Sequence, residues 1–352
     1  MIPASPAGDP RIRPGITRSA VTLYAAVLLA AVGILGCGAS SSHPRPATIY
    51  VTNQLDNTVS VIDGATRRIL ATVRVGVSPA QMAVSADRRS VFIANTGSNT
   101  VSVLNTNNNT VAKTIALPRA SRPIGVALSP SGRYLYAADG GTDRISVIDT
   151  GSGRVVRSVL VGTQPLGVAV APDGKTVYSA NSGSGDVSVV DTRTNHLVRT
   201  IPTGRFPTGV AVTRDGASVY ATDELSGVAV INAGNRTVQA RLPSPSAFSV
   251  TTSPKGDRAY VTGLGPGTLT AIDTGTNRIR STVSVGSYGT DPFTVRATRD
   301  ALYVANQAAN TLSIIDPSSL RTTATIATGN SPYGIAVVQP PPRQDSHLRP
   351  SD

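Results

Sequence analysis

Apolar and polar residues alternate along most of the chain in short segments that turn-forming residues separate. Residues 165–203 show the pattern. The Asp173-Gly174 pair follows the first segment, and such a pair accepts the positive φ of a tight β-turn. Alternation of this kind is typical of half-buried strands. It predicts four short strands, which we name a, b, c and d, at 166–170, 176–180, 186–190 and 197–201.

This four-strand unit repeats along the chain. A tetrapeptide made of an aromatic residue, two small or β-branched residues and a turn former recurs at steps of 40 to 44 residues. Its copies begin at Tyr50, Phe92, Tyr136, Tyr178, Tyr220, Tyr260 and Tyr303. Four-stranded units of this length that keep phase are typical of β-propeller blades. We predict an all-β fold, a seven-bladed β-propeller of four-stranded antiparallel blades.

The two ends of the repetitive region complement each other. The region begins at Thr48 with a strand b and finishes at 332–338 with a strand a that has no partners of its own. We therefore predict that the C-terminal strand joins the N-terminal blade and closes the ring. Closure of this kind leaves no open sheet edge between the first and last blades.

The tetrapeptide Tyr50-Val51-Thr52-Asn53 carries a family resemblance. The chain resembles the YVTN-repeat family of β-propellers, of the YncE-like exported seven-bladed kind, over about residues 48–338. The repeats at Tyr220 and Tyr260 depart from it, because Asp223 and Gly263 replace the Asn. The resemblance implies the propeller fold and an exported binding protein. It implies little about chemistry, since the ligands of the family are poorly known.

The N-terminal segment reads as an export signal. Arg11, Arg13 and Arg18 precede an apolar run at 20–36, and the run ends at Cys37, the only cysteine. Ile34-Leu35-Gly36-Cys37 resembles the lipobox of bacterial lipoproteins, which implies a lipid on Cys37; the alternative is an ordinary secretory signal or an uncleaved anchor. We predict a lipoprotein signal peptide at 1–36, a flexible linker at 37–47, the propeller at 48–338 and a disordered Pro-rich tail at 339–352.

Charge and composition limit the classes of partner that the chain could bind. The formal net charge is +12, which raises the question of nucleic acid. The exported location argues against that partner. We predict a monomer on the extracytoplasmic face of the cell membrane that binds no nucleic acid. The a–b and c–d turns carry more Arg and Lys than Asp, and we expect weak attraction of this face to anionic lipid headgroups or acidic wall polymers.

Candidate ligand-binding residues follow from the direction of the strands. The b–c and d–a loops share one face, and they vary in length and chemistry, as specificity loops do. Residues near the start of each strand a should converge on the mouth of the central channel. The candidates in these loops and strand ends are Arg122, Asp139, Gln164, Phe206, Asp291 and Tyr333.

The sequence lacks the residues that several kinds of chemistry require. The three histidines, His43, His196 and His347, cannot meet in this fold, and no cysteine pair exists. We therefore expect no metal site, no cofactor and no catalytic residues. The function predicted is a surface-tethered, non-enzymatic binding or scaffold propeller that recognises a protein or glycan of the cell envelope through its variable loop face. The alternative is an enzyme resembling sugar-lactone hydrolases, which would use Arg122, Asp139 and Asp291 at the channel mouth.

Overall fold

The computed structural model describes residues 47–286 and 289–339. The predicted signal peptide, Cys37 and all of the predicted tail except Gln339 lie outside the described residues. Every regular element in the described ranges is a β-strand. None of these residues forms a helix long and apolar enough to cross a membrane.

The described strands form seven four-stranded sheets, the blades, numbered here from the N-terminus with the strands of each given from the channel outwards. Blade 1 contains β28 (Pro332–Val338), β1 (Thr48–Asn53), β2 (Thr58–Asp63) and β3 (Ile69–Arg74). Blade 2 contains β4 (Pro79–Val84), β5 (Ser90–Asn95), β6 (Thr100–Asn105) and β7 (Thr110–Ala116). Blade 3 contains β8 (Pro123–Leu128), β9 (Tyr134–Asp139), β10 (Arg144–Asp149) and β11 (Arg154–Leu160).

The remaining blades keep the same order. Blade 4 contains β12 (Pro165–Val170), β13 (Thr176–Asn181), β14 (Asp186–Asp191) and β15 (His196–Pro202). Blade 5 contains β16 (Pro207–Val212), β17 (Ser218–Asp223), β18 (Gly227–Asn232) and β19 (Thr237–Leu242). Blade 6 contains β20 (Ala247–Thr252), β21 (Arg258–Gly263), β22 (Thr268–Asp273) and β23 (Arg278–Ser284). Blade 7 contains β24 (Pro292–Ala297), β25 (Leu302–Asn306), β26 (Thr311–Ile315) and β27 (Thr322–Ala327).

The predicted fold class and ring closure are confirmed. β28 pairs with β1 in antiparallel register, with Val338 opposite Thr48 and Ile335 opposite Val51. The first blade therefore takes its inner strand from the C-terminal end of the repeats and its other three strands from the N-terminal end. The inner strands of neighbouring blades contact one another all the way round the ring.

The apolar core is divided among the interfaces between blades. Each of seven buried clusters combines side chains from two adjacent blades. At the junction of blades 1 and 7, for example, Ile49 and Ile62 pack with Ala305 and Leu312. Strands b and c bury both faces in this way, whereas the outer strand d is largely exposed. Both faces of each sheet therefore contribute to the core.

The aromatic residue of the repeated tetrapeptide joins successive blades. The Tyr50 and Tyr220 rings are buried, and each hydroxyl reaches the c–d turn of the next blade. Tyr50 donates to Asn109 Oδ1 at 3.0 Å, and Tyr220 donates to Asn277 Oδ1 at 2.5 Å. The tyrosine ring thus fills the interface between blades, and its hydroxyl is hydrogen-bonded to the c–d turn of the next blade.

Close approach of the inner strands explains glycines in strand a. A Cβ on Gly125 would lie 2.4 Å from the Leu166 carbonyl oxygen, and one on Gly334 would lie 2.3 Å from that of Ala80. Real Cβ atoms do not approach backbone oxygens so closely. Glycine therefore lets neighbouring strands draw together around a narrow channel.

Removal of residues 332–352 should unfold the whole ring. The deletion takes away β28, including buried Tyr333, Ile335 and Ala336, and exposes the apolar clusters on either side of it. Loss of one such large side chain costs roughly 2–5 kcal/mol, so the sum approaches the total stability of a domain. Urea unfolding should lose its cooperative transition, while a chain that ends at Gln339 keeps it. A stable, cooperatively unfolding chain that ends at Ser331 would contradict closure through β28.

Candidate functional site

The two faces of the ring differ in their turn chemistry. We call the face with the a–b hairpins and c–d turns the turn face, and the face with the b–c and d–a loops the variable face. In the first c–d turn, Asp63 Oδ1 accepts the amides of Thr66 and Ala65, and these bonds lower the pKa of Asp63. Asp149, Asp191, Asp273 and Asp316 serve their own turns in the same way. These carboxylates hold their own turns and stay ionised, and Arg and Lys outnumber Asp on the turn face.

A repeated hydrogen bond holds the loops of the variable face. In four blades the residue before the Pro of strand a has a positive φ, and its amide donates to an Asn or Asp in the b–c loop of the preceding blade. The pairs are Ser78 with Asn57, Arg122 with Asn99, Gln164 with Asp143 and Ser331 with Asn310, at 2.7 to 2.9 Å. The variable face is therefore a set of fixed loops.

Four of the six predicted site residues lie on this face. The Arg122 and Gln164 side chains are exposed, and their backbones take part in the loop contacts just described. Phe206 is half exposed, and its amide donates to Asp223 Oδ2 at 2.7 Å. Asp291 is partly buried, and its Oδ1 accepts the Gly265 amide at 3.1 Å. These four residues lie in the loops that lead into the inner strands of blades 3, 4, 5 and 7.

Tyr333 is the predicted residue that reaches the central channel. Its buried ring packs on Phe293 with centroids 4.5 Å apart, and Phe293 packs on Phe248 at 4.0 Å. Burial raises the pKa of the Tyr333 phenol. The channel holds a cavity of about 150 Å³ between the inner strands. Tyr333 and Phe248 contribute to its wall.

The Asn that ends strand b has a structural task that explains its repetition. In blade 1, Asn53 Nδ2 donates to Thr58 Oγ1 at 3.0 Å and to Ser60 Oγ at 2.9 Å, and Asn53 Oδ1 accepts the Gly329 amide at 3.1 Å. Asn95 and Asn306 donate in the same way to a Thr and a Ser of strand c. This side chain ties strands b and c together inside the blade.

Asp139 replaces that Asn in blade 3 and is buried. Its Oδ2 accepts Ser146 Oγ at 2.6 Å, while its Oδ1 has no hydrogen-bond partner. Pro118 stands at the loop position that Gly329 occupies before blade 1, so no amide is available there. Burial therefore raises the pKa of Asp139 to about 6, although the nearby Ser146 and Ser121 hydroxyls limit the rise.

The residues of the hydrolase alternative do not share a cavity. Arg122, Asp139 and Asp291 are all absent from the described residues that line the channel cavity. Arg122 lies on the rim, Asp139 lies inside blade 3, and Asp291 lies in the loop before blade 7. Nor does the described part of the chain group three or more His, Cys, Asp or Glu side chains as a metal site would.

Arg296 is a channel residue that the sequence analysis missed. It lies in β24 and borders the channel cavity at the end nearer the turn face. The signal for it was present in the repeat. The corresponding residue of strand a is alanine in five other blades and threonine in the sixth: Ala83, Ala127, Ala169, Ala211, Ala336 and Thr251.

The fold is that of a closed seven-bladed β-propeller, and comparisons with known proteins agree with this class. The family described as YNCE-like beta-propeller matches residues 17–138, and the family described as Cytochrome D1 heme domain matches residues 93–224. Each match covers less than half of the chain. The first match, together with the seven blades, supports the YncE-like family. The comparison with curated proteins gave no match.

Two solved structures share the fold. Hydrazine synthase of Kuenenia stuttgartiensis is 21% identical, with a TM-score of 0.67 over 75% of this chain and 97% of that one. A protein of Desulfotomaculum acetoxidans DSM 771, described as functionally unknown, is 15% identical, with a TM-score of 0.72 over 84% of this chain and 99% of that one. At these identities the likeness extends to the fold alone.

The channel does not suit a haem. Haem iron takes axial ligands from His, Cys, Met or Tyr. The described channel wall contains neither His nor Cys, and its Met82 and Tyr333 side chains are buried by packing. The cavity of about 150 Å³ is also smaller than the roughly 300 Å³ at which pockets for drug-sized ligands begin.

Asp139→Asn should change how stability depends on pH. Because the folded-state pKa is raised from 3.8 to about 6, the neutral form favours folding. The stabilisation that the neutral Asp139 carboxyl gives the folded state is complete below about pH 4 and is lost as the pH rises through 6. The variant stays neutral, so its free energy of unfolding should exceed that of the wild type by roughly 3 kcal/mol at pH 8, and most of this advantage should be lost by pH 4. Urea unfolding between pH 4 and pH 8 measures the difference.

A matched control is available in the same blade. Asp143→Asn introduces the residue that Asn57, Asn99 and Asn310 supply in equivalent loops, and it should keep the pH profile of the wild type. A constant difference between Asp139→Asn and the wild type across this pH range would show that the buried carboxyl does not titrate near 6.

Proposed function

We propose that the chain is a lipid-anchored propeller of the YncE-like kind that binds a protein or glycan of the cell envelope through its variable face, without catalysing a reaction. The support comes from what this face exposes and how rigidly it is held. The similarity to known structures contributes the fold only.

The observation that carries the proposal is the position of exposed apolar side chains. Leu55, Leu225, Phe206 and Val77 are 73%, 62%, 49% and 49% exposed, and all four lie in b–c or d–a loops. The other large exposed apolar residues of the described chain lie on outer strands, and its turn-face loops carry none. Apolar side chains that one face leaves in water are characteristic of a surface that a partner covers.

One carboxylate positions two of these side chains. Asp223 Oδ2 accepts the Phe206 amide at 2.7 Å, and Asp223 Oδ1 accepts the Leu225 amide at 2.9 Å. The Phe206 and Leu225 loops are therefore fixed before any partner arrives. Fixed loops reduce the ordering entropy lost on binding. An aromatic side chain beside an aliphatic one fits a protein partner best.

Replacement of the exposed pair should abolish capture of the partner. In a pull-down from envelope extract, Phe206→Ser with Leu225→Ser should reduce retention of the bound component at least about tenfold, which is the loss of a single 1.4 kcal/mol contact. Leu197→Ser with Val198→Ser is the control, because it removes two similarly exposed side chains from the outer strand of blade 4. A component that both variants retain equally would place recognition away from this loop pair.

The anchor has its own test. Cys37 lies outside the described residues, and a lipid on it is proposed from the Leu35-Gly36-Cys37 sequence alone. Cells grown with labelled palmitate should incorporate the label into the wild-type chain, and Cys37→Ser should remove it and release the propeller from the membrane fraction. Label that persists in Cys37→Ser would rule out this anchor.

A further inference from the structure

The channel wall contains one residue that breaks the repeat. At the fifth position of strand a, five blades have alanine and blade 6 has threonine, whereas blade 7 has Arg296. A small residue there suffices for strand packing in the six other blades. The arginine therefore has no structural task that the repeat requires.

Arg296 has no partner in the protein. It makes no hydrogen bond or ion pair with any residue that the structure describes. It borders the channel cavity and also a second cavity of about 240 Å³ that lies on the turn-face side. Asp and Glu are absent from the described walls of both cavities. The guanidinium thus lies at the junction of the two cavities with its charge uncompensated.

The walls of the channel partly desolvate the charge of Arg296. The side chain is exposed to the open space of the channel, and desolvation by the surrounding walls lowers the pKa of its guanidinium. A partly desolvated charge without a counter-ion favours the binding of an anion. An anion that enters the channel would compensate it.

The remaining wall carries both apolar and polar groups. Val126, Val168, Val210 and Val250 line the cavity at one level. Phe248 lies three strand positions further towards the variable face than Arg296, which is about 10 Å at 3.3 Å per residue. Gln81 Nε2 donates to Thr294 Oγ1 at 2.9 Å between these levels. Thr208 and Thr251 also border the cavity, so it is cationic at one end and of mixed polarity along its length.

We infer that the channel is a binding site for a small organic carboxylate, with the carboxylate paired to Arg296 and the rest of the molecule lying beside the valines and Phe248. The planar guanidinium matches a carboxylate in a two-bond arrangement. A cavity of about 150 Å³ is the size that accommodates benzene in a protein interior. The site lies inside the ring and is separate from the partner surface proposed for the variable face.

Access from the turn face fits the charge distribution. The second cavity brings Arg88 and Ser85 beside the same mouth, and Arg88 donates to the Gln339 carbonyl at 3.2 Å. Arg and Lys outnumber Asp in the turns of this face, so its net charge is positive although the c–d turn carboxylates are ionised. A cationic surface of this kind raises the local concentration of anions and speeds their arrival.

Titration calorimetry with benzoate on the whole chain tests the site. Benzoate should bind with one site per chain, and benzamide, which has the same shape without the charge, should bind about 10- to 100-fold more weakly. Arg296→Ala, which introduces the residue of five other blades, should lose affinity for benzoate by a similar factor. Arg299→Ala is the matched control, since it removes a nearby exposed arginine of the turn face, and it should keep the wild-type affinity within about twofold.

Thermal unfolding separates binding from a structural role. Removal of an uncompensated charge should leave the melting temperature of ligand-free Arg296→Ala equal to or above that of the wild type. Benzoate should raise the melting temperature of the wild type and not that of the variant. If Arg296→Ala fails to fold, Arg296→Gln replaces it in the measurements of benzoate affinity and melting temperature, with the same expected results. Three results each overturn the inference: no benzoate binding to the wild type at millimolar concentration, equal binding of benzamide, or unchanged affinity in the neutral variants.

Discussion

Packing between adjacent blades is the interaction on which this structure depends. Each sheet is apolar on both faces, so it can bury both only by standing between two other sheets. Seven such interfaces satisfy every blade when the ring is closed, and the ladder between β28 and β1 makes that closure. The chain ends are thus joined by the same forces that hold any two neighbouring strands.

The closed ring also determines where a ligand could bind. Glycines such as Gly125 and Gly334 bring the inner strands close together, so the channel is narrow and its cavity is small. The loops of the variable face are held by bonds such as that from the Ser78 amide to Asn57. Two separate kinds of surface result. The variable face is rigid and exposes apolar side chains, which suits a macromolecule. The channel is a narrow cationic space, which suits a small anion.

Departures from the repeat identify the unusual chemistry of this chain. Asp139 stands where four other blades have Asn, and burial of its carboxyl, with one oxygen unpaired, raises its pKa. Arg296 stands where five other blades have Ala and one has Thr, and it faces a cavity without a counter-ion. Both differences are visible in the aligned repeats. Their consequences depend on burial, which a repeat alignment does not contain.

The sequence by itself determined the seven blades, their four strands and the closure of the ring, because alternation, turn residues and the spacing of the repeat are local properties. It also placed Arg122, Gln164 and Phe206 in the correct loops. Only the tertiary structure decided which side chains face the channel. Of the six predicted site residues Tyr333 alone lines it, and Arg296 was missed, because the orientation of strand a around the axis depends on close contacts between strands far apart in the chain.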